Sequence, residues 1–133
     1  MSFDPRRDYP LGTNAQHTVR TPGGIPLAEL DLHDNAVTAA ELRATPETLR
    51  MQAEVARANG QEQLAQNLIR AAELAPLPDD AILAIYTALR PGRSTAAELE
   101  DWARRLEEWD APATAAFVRE AAEVYNRRRI LAV

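Results

Sequence analysis

The chain has 133 residues, a net charge of −5, an apolar fraction of 46% and no cysteine, and all fifteen of its basic residues are arginine. That length suits one domain. The acidic balance argues against nucleic-acid binding, and the missing thiols exclude disulfides, thiolate metal sites and cysteine nucleophiles.

The segment Met1–Asp8 is polar and charged, unlike a secretory leader. No apolar run approaches the roughly twenty residues that span a bilayer, so the expectation is a cytoplasmic protein with no membrane partner. Residues 1–36 hold Pro5, Pro10, Gly12, Pro22, Gly23, Gly24 and Pro26, a density of breakers that forbids a long helix. Thr21-Pro22-Gly23-Gly24 reads as a tight turn. Ile25–Leu32 fits either a short extended piece or a helical turn. This region is expected to be an extended N-terminal arm that packs on something, with Phe3, Tyr9, Leu11, Val19, Ile25 and Leu30 as anchors. A disordered tail is the plainer alternative.

From residue 37 to 133 the pattern is that of a helical domain. Thr38 and Glu41 have the spacing of a capping box. Thr45 and Pro46 mark a second start, with Pro46 at the first helical position. Leu49, Ala53 and Ala56 then share one face, with Glu47, Arg50, Glu54 and Arg57 on the other. Asn59-Gly60 predicts the end of that helix. The next runs from Gln61 to Leu74 with an apolar stripe of Leu64, Ala65, Leu68, Ile69 and Ala72, and Pro76 and Pro78 end it. Asp79-Asp80 suit the positive end of a following helix, whose predicted buried face is Ile82, Ile85, Tyr86 and Leu89. Ser94 is the expected cap of a helix carrying Leu99, Trp102, Ala103, Leu106 and Trp109. The last helix starts between Asp110 and Pro112, with Phe117, Ala121, Val124 and Tyr125 on one side and Arg119, Glu123 and Arg127 on the other. The fold class is therefore all-α, five to six helices with short connections. The predicted core is Leu49, Leu64, Leu68, Ile82, Tyr86, Leu99, Trp102, Leu106, Phe117 and Val124. No internal repeat stands out.

The chain offers little chemistry. Asp31, His33 and Asp34 lack a further ligand at helical spacing, and His17 stands apart. Asp79-Asp80, Glu100-Asp101 and Glu107-Glu108 are adjacent pairs, whose side chains diverge on a helix, so none is a ready acid–base dyad. Ser94 and Thr95 read as caps, with no histidine nearby in sequence. Arg127-Arg128-Arg129 is the densest basic run. It complements a helix C-terminus or docks on an acidic patch of a partner. No catalytic, cofactor-binding or metal-binding residue is assigned.

Six phrases carry a resemblance: Asp8-Tyr9-Pro10-Leu11, Thr45–Arg50, Leu64–Leu74, Pro78–Pro91, Arg93–Leu99 and Ala115–Tyr125. In their order and spacing they resemble the small (gamma) subunit of adenosylcobalamin-dependent diol and glycerol dehydratases. The resemblance implies a subunit that performs no catalysis itself. Its partners would be the large TIM-barrel subunit, which holds the substrate, and the medium subunit, in a dimer of heterotrimers. Adenosylcobalamin would be bound by those other subunits, and the reaction would convert 1,2-diols or glycerol to aldehydes. The candidate interface on this chain is Phe3, Tyr9, Leu11, Ile25 and Arg127, Arg128 and Arg129, and exposed anchors would also permit a homodimer of the isolated chain. Only seven residues precede Asp8, too few for an amphipathic address, so encapsulation in a bacterial microcompartment would depend on another subunit. The alternative is a free-standing helical interaction or regulatory protein.

Overall fold

A computed structural model describes residues 3–29 and 43–133. Leu30, Asp31, Leu32, His33 and Asp34 lie outside them. So do the capping box of Thr38 and Glu41 and the expected boundary at residue 36. The described elements are α1 (Leu11–Asn14), a 3-10 turn (Leu27–Glu29), α2 (Pro46–Ala58), α3 (Glu62–Leu74), α4 (Asp79–Ala88), α5 (Ala96–Glu108) and α6 (Pro112–Arg128). There is no strand among the described residues, so the chain is all-α. It divides into two compact units, Met1–Ala75 and Pro76–Val133.

In the first unit, Gly24 donates its N–H to the Thr21 carbonyl at 2.9 Å and sits at φ +91°, a conformation that glycine adopts without a Cβ penalty. Thr21 and Ile25 close the turn through N–H···O bonds in both directions, one of them to the Thr21 hydroxyl. A single bridge joins Arg20 to Pro26 and the 3-10 turn follows at once. Both readings of this stretch therefore hold in part.

Helix α2 begins as expected. Pro46 occupies the first turn and the Thr45 hydroxyl accepts the Thr48 N–H at 3.2 Å. It buries two stripes where one was expected. Ala53 and Ala56 pack against Ala65 of α3, with Leu68 and Ile69 alongside. Met51 packs with Leu11 and Ala15, with Phe3 and Val19 alongside. The segment before α2 thus supplies part of the first unit's own core. Small side chains fill the α2–α3 contact, where Ala65 and Ala72 are fully buried, while Leu64, expected in the core, is 46% exposed.

In the second unit, α5 packs on α6. The buried residues are Leu99, Ala103 and Leu106 of α5 and Thr114, Ala115 and Val118 of α6. The N-cap of α5 is Thr95, whose hydroxyl accepts the Glu98 N–H at 3.2 Å. Ser94, the expected cap, instead donates its hydroxyl to the Ala88 carbonyl at 2.8 Å. It stands one residue too early for the helix and satisfies an orphan carbonyl at the end of α4. The Tyr125 hydroxyl does the same for Leu89 at 2.6 Å. The tail returns to this corner, where Gly92 donates to Ile130 and Ala132 to Ser94.

The structure exposes a repeat that the sequence hides. α5 starts fifty residues after α2 (96 against 46), and α6 starts fifty after α3 (112 against 62). At that offset Thr45, Leu49, Ala53, Ala65 and Ala71-Ala72-Glu73 recur as Thr95, Leu99, Ala103, Ala115 and Ala121-Ala122-Glu123. The caps and the small residues at the helix crossing recur, and most exposed positions differ. Both helical hairpins turn through the same C-terminal motif. In one, Gln61 donates to Ala56 and Gly60 to Arg57; in the other, Ala111 donates to Leu106 and Asp110 to Glu107. The left-handed residue is Gly60 (φ 76°) in the first and Asp110 (φ 60°) in the second.

Candidate functional site

The charged side chains are arranged for structure. Asp4 accepts the N–H groups of Arg6 and Arg7 at 2.9 and 3.2 Å, which holds its carboxyl below the usual carboxylate range. Arg7 donates from two nitrogens to the two oxygens of Asp8, at 2.7 and 2.8 Å. That pair, helped by the Asp4 N–H, lowers the Asp8 carboxyl to about 2. The turn so formed carries the chain into Tyr9 and α1. Across α2 and α3, Arg57 pairs with Glu62 at 3.0 Å and depresses its titration.

The adjacent carboxylates Glu100 and Asp101 are taken up by arginines: Glu100 pairs with Arg119 of α6, which lowers it most, and both lie near Arg104, at 3.6 and 3.9 Å. Among the described residues, no group of three His, Asp or Glu side chains converges on a point that would hold a metal ion. No helix among them is long and apolar enough to cross a membrane.

The candidate interface residues fall into three kinds. Leu11, 8% exposed, is turned inward against Met51, and Phe3 is half-buried against the same cluster. Leu11 is therefore largely a core residue of the first unit, packed with Ala15 and Met51. Ile25 is half-buried in the turn it closes. Tyr9 is 56% exposed. It borders an open groove of about 330 Å³ whose other walls include Leu11, Gly12, Val55 and Leu64. Arg127, Arg128 and Arg129 are exposed at the end of α6. Arg129 takes the left-handed conformation there (φ 57°), and Ile130 donates to the Tyr125 carbonyl, closing the helix. Tyr9 belongs to the first unit and the three arginines to the second.

Leu64, Tyr86, Trp109 and Phe117, expected to face inward, are exposed, and so is Leu83, which was not among the expected core residues. Leu83 is 64% exposed, Tyr86 60%, and Trp109 and Phe117 40% each. Trp102 is half-buried, with the Arg105 guanidinium 5.0 Å from its ring centroid, a cation–π geometry. The signal for the α4 pair was present: Ala81–Leu89 contains no charged residue, so α4 has no charged face to turn outward there.

Comparison with known proteins is specific. The family model described as "Dehydratase small subunit" matches residues 5–132. The propanediol dehydratase small subunit of Citrobacter freundii is 49% identical over 128 residues, covering 93% of this chain and 74% of the relative. That of Salmonella typhimurium is 48% identical over the same length and with the same coverage.

Proposed function

The chain belongs to the dehydratase small-subunit family, and on that premise we propose that it is the non-catalytic small subunit of a coenzyme-B12-dependent propanediol or glycerol dehydratase. The carrying observation is the family match across residues 5–132 together with 49% identity to a propanediol dehydratase small subunit. The reaction is the dehydration of a 1,2-diol or glycerol to an aldehyde. The small subunit packs on the large TIM-barrel subunit and stabilises a dimer of heterotrimers with the medium subunit. The complex belongs in the cytoplasm, and any microcompartment address would be carried by another subunit. Nothing observed favours a free-standing regulatory protein.

Adenosylcobalamin, when bound to the complex, supplies the radical. Among the described residues, the Tyr9–Leu64 groove, about 330 Å³, matches the lower end of sites for small ligands and is too small to enclose a corrinoid, which supports a cofactor held by the other subunits.

This chain's part is to present contact surface. Tyr9, exposed at the mouth of the groove, and Arg127–Arg129, exposed at the end of α6, are the proposed contacts. Leu11 and Phe3 lie in the core cluster of the first unit, with Ala15 and Met51. Visible-absorbance titration of the isolated chain with adenosylcobalamin should show no binding, and the isolated chain should not dehydrate propanediol. Stoichiometric cofactor binding by this chain alone would overturn the assignment.

A further inference from the structure

We propose that the outer face of α4, centred on Leu83 and Tyr86, is a docking surface for the large dehydratase subunit; this rests on the reading of the chain as a dehydratase small subunit. Three observations carry it. First, beyond its acidic first turn α4 carries no charged residue, and its one other strongly polar side chain, Thr87, bonds back to the Leu83 carbonyl. Ile85 and Ala88 are buried, while Leu83 and Tyr86 are more than half exposed. A helix that is apolar beyond one face is stable when the further face is covered too.

Second, α5 and α6 pair along their lengths, and α4 has no comparable helix pairing within its unit. What fixes it is its C-terminal end, through Ser94 to the Ala88 carbonyl and Tyr125 to the Leu89 carbonyl. Such end-anchoring sets the helix in place and leaves its outer face open. Leu83 and Tyr86 are three apart and therefore neighbours on that face.

Third, the ends of α4 carry opposite charge. Asp79 and Asp80 stand at its start, and Arg90 and Arg93 just past its end, all exposed. The matching surface is an apolar strip about 16 Å long, with a basic group at one end and an acidic group at the other. That pattern fixes direction as well as contact. The family is that of a dehydratase small subunit, so a larger subunit of the same enzyme is the partner taken to supply such a strip.

The test is co-expression of the full chain with the large and medium subunits, with the tag on the large subunit. The wild-type chain is expected to co-purify in stoichiometric amount. A Leu83→Glu/Tyr86→Glu double variant should fall by more than about tenfold, since tyrosine is a favoured interface anchor and a carboxylate buried without a partner is strongly unfavourable. The isolated double variant should keep the wild-type circular dichroism and melting midpoint. Leu83→Ala/Tyr86→Ala serves as the milder pair if the acidic pair disturbs folding, and should also lower co-purification.

Unchanged co-purification of both pairs overturns the proposal. So does a lowered midpoint of the isolated alanine variant, which would mean that the face packs within the chain. Loss of self-association alone, with complex formation intact, would assign the face to a second copy and overturn it too. If the wild-type chain itself fails to co-purify, the subunit reading falls and this inference with it.

Discussion

Arg119 of α6 donates from Nε and Nη2 to the two carboxylate oxygens of Glu100 on α5, each at 3.0 Å, and from Nη1 to Glu107. The fork spans one side of the helix pair. Beside it Val118 is turned inward at 1% exposure and Phe117 is left 40% exposed. The inward face expected from Phe117, Ala121, Val124 and Tyr125 is rotated, to a face of Thr114, Ala115 and Val118.

That rotation predicts a ranking. Leu106, fully buried on α5, should cost about 2–5 kcal/mol when truncated to alanine. Phe117→Ala should cost clearly less, despite the larger side chain. Chemical denaturation of the two variants decides it, and equal losses would mean that Phe117 is a core residue.

The repeated caps predict matched losses. Thr45→Ala and Thr95→Ala should each destabilise by about 1 kcal/mol, because each hydroxyl accepts a backbone N–H at 3.2 Å at the same position of its hairpin. Gly60→Ala should cost about 1–2 kcal/mol, since its φ is 76° and no atom lies near the place of a new Cβ. The cost is then conformational alone. A neutral Gly60→Ala would contradict the left-handed assignment of that turn.

The N-terminal segment predicts a stability effect, in addition to its proposed contacts. Leu11 is buried with Ala15 and Met51, so Leu11→Ala should lower the stability of the first unit by about 2–5 kcal/mol. Hydrogen exchange of the α2 amides is the readout. Wild-type protection in Leu11→Ala would show that α1 does not cover Met51.

Titration supplies a further check. The Asp8 carboxyl is depressed from 3.8 to about 2, first by its hydrogen bonds from Arg7. A depressed folded value means that the stabilisation is complete above pH about 4 and is lost as pH falls toward 2. Glu100 follows the same sign through Arg119, starting below its ordinary 4.5. Carbon NMR should place the Asp8 midpoint near 2 in the wild type and higher in Arg7→Ala. A wild-type midpoint near 3.8 would remove the Arg7–Asp8 pair from solution.

The helix starts and stops were legible where backbone chemistry dictates them. Thr45-Pro46, Asn59-Gly60, Asp79-Asp80 and Pro112 all sit at observed boundaries. Faces were less legible. In α2 one stripe was read and two exist, because Met51 is buried by a segment forty residues earlier, which local periodicity does not report. In α4 the periodicity chose Tyr86 as inward, since a helix without charge beyond its first turn satisfies several faces equally. In α6 the choice between Phe117 and Val118 depends on packing against Leu99, Ala103 and Leu106 of another helix, which local periodicity does not report. The repeat escaped notice because it is held in alanines and threonines, which are frequent throughout the chain. The contact residues were the least legible part: Tyr9 and Leu11 are two apart in sequence, yet one is exposed and the other is core.

The most direct test of the subunit assignment is the stoichiometry of the complex purified after co-expression with the large and medium dehydratase subunits, measured by size-exclusion chromatography with light scattering. The account predicts this chain in one-to-one ratio with each of the other two, in an assembly of two heterotrimers. A stable, active large–medium complex from which this chain elutes separately would contradict it.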